Sequence, residues 1–293
     1  MFSRILAATD RVEVCDATVA VAAQLAREHQ AELRILHVAE SSAAIDREFV
    51  KHFKTGEEMV YNDAYGQTVR EAIEQACGDV VGSGVNLRID VTPGFPWMMI
   101  LKTARKQRSS LIVMGPHAGR AREIGVMRVP SHVGSTVQKV VQRERCPVML
   151  VNAQAAGAPL EFNKILLSTD FSKSCECALA FAVDVARKEG ASLTTFHMAS
   201  GGEEAASEMR RFCGEVPGDI AHEHQIREGQ SPPEEILKCA EETGADLIVM
   251  GSHTKEKGGR WYVGSAVEGV SLQARCPVCV ITDPKVLRPL DLD

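Results

Sequence analysis

The chain has 293 residues, 45% of them hydrophobic and 25% charged, which is long for one core and comfortable for two domains of about 100 to 150 residues. A formal net charge of −6 leaves no basic footprint of the kind nucleic-acid binders carry. No run approaches the roughly 20 apolar residues of a membrane span, no basic leader opens the chain, and nine unframed cysteines suit a reducing compartment, so the expected location is the cytoplasm.

In chain order, short aliphatic or β-branched runs at residues 4–10, 32–38, 86–92, 110–115 and 147–152 read as strands, separated by amphipathic stretches such as 17–28. Residues 153–163, rich in alanine and carrying Gly157 and Pro159, read as a linker. The same order then recurs: strands at 164–169, 192–198, 221–227, 246–250 and 277–282, with a helix over 177–188.

The recurrence extends to particular residues. Lys164-Ile-Leu-Leu-Ser-Thr-Asp170 repeats Arg4-Ile-Leu-Ala-Ala-Thr-Asp10 at an offset of 160. Leu247-Ile-Val-Met-Gly251 repeats Leu111-Ile-Val-Met-Gly115 at 136, and Cys276-Pro-Val repeats Cys146-Pro-Val at 130. Two copies of one unit, the first with longer loops, give offsets that only shrink. His37 and His197 still differ by 160 and Gly94 and Gly229 by 135, so the main insert lies at about residues 40 to 80 of the first copy. Strand-helix alternation specifies right-handed crossovers and a parallel sheet covered on both faces. The expected domains are 1–153 and 162–284.

Ligands of open parallel sheets bind beyond the carboxyl ends of the strands, where strand order reverses. Strand one of each copy ends at Thr9-Asp10 or Thr169-Asp170, and strand four runs into a glycine loop, Gly115 onward or Gly251 onward. If strands one and four are neighbours, acid and loop face one crevice. Glycines admit an anion close to the backbone, and a following helix start offers unpaired N–H groups and the positive end of a dipole. Ser265 suits either capping that helix or donating to a phosphate, and Asp10 and Asp170 suit either capping the next helix or contacting a ligand.

These features resemble the universal stress protein family, over nearly the whole chain. Its ATP-binding branch has, after strand four, a Gly, two residues, a second Gly, nine residues, then Gly-Ser or Gly-Thr. Gly251, Thr254, Gly264 and Ser265 match that spacing with threonine in place of the second glycine, while Gly115, Gly119 and Gly134-Ser135 keep the pieces in a longer loop. The strand-one Asp, the His ending strand two, the glycine after strand three and the Cys-Pro-Val of strand five belong to the same pattern. The resemblance implies two tandem Rossmann-like domains of the adenine nucleotide α-hydrolase type, each a five-stranded parallel sheet of order 3-2-1-4-5. It also implies ATP, with or without Mg²⁺. Asp10 and Asp170 inherit contact with the ribose or a metal-linked group. Val38 and Met198 inherit backbone bonds to adenine. The phosphates fall to Gly115, Gly119, Gly134, Ser135 and Thr136, and to Gly251, Thr254, Gly264 and Ser265.

Other constellations read as structural. Cys276 and Cys279 sit in a strand and not at a helix start, so they are expected in the core, and His222 and His224 lie two apart on a strand without a third ligand at metal spacing. His37 and His197 lack a paired nucleophile and are expected to be held by local hydrogen bonds. Arg120, Arg122, Arg128, Lys255, Lys257 and Arg260 are loop cations suited either to a triphosphate or to an ordinary exposed loop, and Trp261 and Tyr262 suit either a cover over a ligand or a contact with the other copy. The leading function is a stress-response protein that binds ATP or a related adenine nucleotide and signals through protein contacts. The alternatives are a nucleotide-free scaffold of the same fold and a slow ATP hydrolase, the latter without a Walker-type loop or an evident general base. The two copies are expected to pair through their fifth strands as an intramolecular pseudo-dimer, with a homodimer of tandem chains left open.

Overall fold

The computed structural model describes the chain apart from residues 13–15, 42–48, 83, 117–132, 156–159, 200–201, 253–254, 258–259, 263 and 286–293. Contacts divide it into two compact units, one chiefly Phe2–Val129 with Gly134–Val140, the other chiefly Val141–Asp293.

The first unit opens with β1 (Arg4–Thr9), α1 (Ala17–His29) and β2 (Glu32–Glu40). The insert follows as a hairpin, β3 (Phe49–Lys51) and β4 (Glu58–Val60), and then α2 (Asp63–Val81), β5 (Asn86–Gly94), α3 (Pro96–Gln107), β6 (Leu111–Met114) and α4 (Ser135–Val141). Its sheet runs β5-β2-β1-β6, all parallel. β6 is an unbroken apolar run, Leu-Ile-Val-Met, because helices cover both faces of a parallel sheet, and all four residues are buried. β5 reaches Gly94 and includes Pro93, which ends a sheet without loss because proline has no ladder donor to offer. The hairpin adds Phe49 and Val60, cross-strand partners that are both exposed.

In the second unit β7 (Val148–Leu150) precedes β8 (Lys164–Ser168), α5 (Lys173–Glu189), β9 (Ser192–Met198), α6 (Glu203–Cys213), β10 (His222–Arg227), α7 (Pro232–Thr243) and β11 (Leu247–Gly251). A short antiparallel pair, β12 (Lys255–Lys257) and β13 (Arg260–Tyr262), then α8 (Ser265–Gln273) and β14 (Val278–Ile281), complete it. The sheet runs β10-β9-β8-β11-β14-β7, so the strands of the second repeat lie in the order third, second, first, fourth, fifth. β7, the fifth strand of the first repeat, lies antiparallel to β14, with Val148 opposite Val280 and Leu150 opposite Val278. A strand sealed on both sides offers no edge to a stray chain, and β14 is completely buried between β11 and β7.

Helix ends follow local chemistry. Asp16 and Ser172 cap α1 and α5, their side chains accepting from Val19 and Cys175 N–H. The capping role open to Asp10 and Asp170 is therefore taken by residues further along. Likewise Gly264 is the N-cap of α8, with no side-chain cap bond, and Ser265 is the first helical residue. Proline opens α3 and α7, where its missing N–H costs nothing.

Cys276 and Cys279 are core residues: burial pushes the Cys276 thiol up to about 12 and the Cys279 thiol higher still. His222 Nε2 lies 3.1 Å from Thr195 Oγ1, and among the described residues no group of three or more His, Cys, Asp or Glu stands where it could hold a metal ion. No helix among the described residues is long and apolar enough to cross a membrane.

Candidate functional site

The carboxyl ends of β8, β9 and β11 meet at a cavity of about 270 Å³ in the second unit. Five of the candidate ligand residues line it together, Asp170, Met198, Gly251, Gly264 and Ser265, with Thr169 and His197 beside them. They converge because β8 lies between β9 and β11, so the ends of strands one, two and four are adjacent. Thr254 lies outside the described residues, and of Lys255, Lys257, Arg260, Trp261 and Tyr262 only the backbone is described.

Asp170 projects from a tight turn. Its Oδ1 accepts from Ser172 N–H at 3.2 Å and from the Cys175 thiol, 3.2 Å away. The thiol keeps its proton to donate, because burial first and the neighbouring carboxylate second push it above the ordinary thiol value. Phe171, inside this turn, adopts φ of 63°, a left-handed conformation that costs a bulky residue energy and persists only where neighbours impose it. Thr169 Oγ1 accepts its N–H at 2.9 Å, and its ring packs on His197 at 4.2 Å between centroids.

His197 is fixed from the other side. Its Nδ1 lies 2.8 Å from the Thr169 carbonyl, which can only accept, so Nδ1 carries the proton. His37 makes the same contact with the Thr9 carbonyl at 3.1 Å, and burial lowers its affinity for a second proton. His37, inside β2, which runs on to Glu40 and so past the expected end of strand two, and His197, next to last in β9, thus each tie strand two to strand one by a local hydrogen bond.

Gly251 has a packing reason for being glycine. A Cβ there would lie 2.7 Å from Cys175 N and from Ser174 C, and 2.8 Å from Cys175 Sγ. Its missing side chain lets the start of α5 close against the end of strand four. Gly264 is different: φ of 104° demands glycine, and it leaves the first N–H groups of α8 at the cavity wall with no side-chain cap.

The first-repeat candidates sit in corresponding places. Asp10 follows β1 and is exposed, Val38 pairs with Thr92 inside β2, and Gly115 follows β6, the neighbour of β1. Gly134 N–H donates to the Pro116 carbonyl at 2.8 Å, which joins the end of strand four to the start of α4, where Ser135 is exposed and Thr136 half-buried. Gly119 lies outside the described residues, as do Arg120, Arg122 and Arg128.

Sequence reasoning missed Cys175, Phe196 and Ile236 as cavity residues. For Cys175 a signal existed: Cys15 and Cys175 both stand five residues after the strand-one Asp. Phe196 and Ile236 look like any core residue until the topology places them.

The Universal stress protein family model matches residues 1–152 and again 161–282. Universal stress protein YxiE of Bacillus subtilis is 29% identical over 154 residues, 52% of this chain and 99% of its own length. Universal stress protein MJ0531 of Methanocaldococcus jannaschii is 39% identical over 84 residues, 29% of this chain and 48% of its own. Among solved structures, a universal stress protein from Archaeoglobus fulgidus shares the fold with a TM-score of 0.67, at 23% identity and covering 95% of this chain and 96% of that one.

Proposed function

This chain belongs to the universal stress protein family, and from that premise we propose that it binds ATP or a related adenine nucleotide in the second-repeat cavity and passes the bound state to protein partners in the cytoplasm. The observation that carries the reading is the cavity itself. It gathers the strand-one acid, the end of strand two and an uncapped helix N-terminus within one space of about 270 Å³, just below the roughly 300–1,000 Å³ of ligand pockets.

The walls divide the labour as a nucleotide requires. Phe196, Ile236 and Met250 are buried apolar side chains suited to a base, with the Met198 backbone beside them to read its polar edge. Asp170 accepts from ribose hydroxyls or faces a phosphate-bound cation. Gly264 and Ser265 present backbone N–H groups and a hydroxyl to the phosphates at the positive end of α8. Magnesium, when bound with ATP, would neutralise phosphate charge. In the first repeat the same work falls to Asp10, Val38, Gly115, Gly134, Ser135 and Thr136.

The test is to denature the purified full chain, identify by chromatography whatever small molecule is released, and titrate the stripped protein with Mg-ATP. Adenine nucleotide is the expected release, with uptake on titration. Neither release nor uptake would leave the chain a nucleotide-free scaffold and overturn the reading.

A further inference from the structure

The helix that walls the second cavity is held at its far end by a residue of the first repeat. The last carbonyls of a helix have no partner within it, and for α8 Asn152, buried just beyond β7, supplies one. Its Nδ2 donates to the Ser271 carbonyl at 3.0 Å and to that of Ala274 at 2.8 Å. Its Oδ1 accepts from the N–H groups of Gln154 at 2.8 Å and Ala155 at 3.1 Å. A primary amide alone carries both halves of this arrangement, two donors on one atom and two lone pairs on the other. Thr282, the counterpart of Asn152 at the repeat offset of 130, donates from Oγ1 to the Val141 carbonyl at 3.0 Å.

The middle of α8 is pinned as well. A Cβ on Gly269 would lie 2.7 Å from Pro233 Cβ, so α8 lies directly on the start of α7. With nine residues α8 is about 14 Å long, and a body so short and so held transmits a displacement of one end to the other.

We propose that Asn152 is a positioning residue for the second-repeat ligand site. By holding the C-terminal carbonyls of α8, it sets where the N–H groups of Gly264 and Ser265 stand at the cavity. The site is thereby incomplete without a residue from the first repeat. This rests on the nucleotide reading above, with the phosphates at the N-terminus of α8.

The experiment is calorimetric titration of the full chain with Mg-ATP and, separately, adenosine, for the wild type, Asn152→Asp and Asn152→Ser. Hydrogen exchange of the α8 amides is followed in parallel. Asn152→Asp keeps the size but turns lone pairs toward two carbonyls. Its expected effect is a loss of ATP affinity of about 3- to 10-fold, with adenosine changed by less than about twofold, Asn152→Ser falling between, and faster exchange along α8. A folded Asn152→Asp chain with wild-type ATP affinity overturns the proposal. So does an equal loss for ATP and adenosine, which marks a merely structural role. If Asn152→Asp does not fold, Asn152→Ser decides by the same two comparisons. A wild type that binds neither compound overturns the nucleotide reading and this proposal together, an outcome distinct from wild-type binding that the variants leave untouched.

Discussion

At Gly251 the backbone of strand four passes so close to the start of α5 that a methyl group would stand 2.7 Å from main-chain atoms, which cannot swing aside as a side-chain tip can. Replacing it by alanine should destabilise the fold by about 1–3 kcal/mol through overpacking, seen as a lower urea midpoint with an unchanged slope. A variant as stable as the wild type would show that α5 shifts freely. The sequence marks Gly251 as special but not why, because a glycine kept for anion approach and one kept for helix docking look alike without the neighbouring chain. Asp170 shows the same limit. A cap and a ligand contact are equally open to it until Ser172 is seen to hold the cap.

Among the elements, β7 and β14 carry the largest structural consequence. Their apolar Val-rich runs are legible as strands, and β14 is a central strand, flanked in parallel by β11 and in antiparallel by β7. Val280→Pro removes a ladder donor from a strand with no solvent-facing edge and leaves a buried acceptor unsatisfied, so the loss should be about 1–3 kcal/mol. Differential scanning calorimetry should show a transition lowered well below that of Val38→Ala, a half-buried site outside this pair. A transition at the wild-type temperature would mean that the β7–β14 pairing contributes little. The hairpin β3–β4 was not foreseeable in detail, since three-residue strands fall below the length at which alternation can be read.

For the whole molecule, the two repeats should differ as ligand sites. The second keeps the nine-residue gap between the loop and Gly264-Ser265, whereas the first carries a longer loop before Gly134-Ser135. Gly264→Val, which also forces a β-branched residue into φ of 104°, should remove most of the ATP uptake, and Gly134→Val less. A ligand at 100 times its Kd adds about 2.7 kcal/mol to stability, so the ranking is also readable as the ATP-dependent rise in melting temperature each variant loses. A larger loss from Gly134→Val would reverse it.

Duplication and fold class were legible in the sequence alone, because strand and helix periodicity and recurring landmarks are local properties that survive in one dimension, while the candidate ligand residues were named from strand ends, glycine loops and the family resemblance. Asp170, Met198, Gly251, Gly264 and Ser265 are spread over nearly 100 residues and were found one by one. Only the tertiary structure decided that they share a cavity with Cys175, Phe196 and Ile236, and that Asn152 holds α8 from more than 100 residues away in the chain. Such partnerships depend on which strand lies beside which and on atoms meeting within about 3 Å, and neither leaves a mark in the order of the residues.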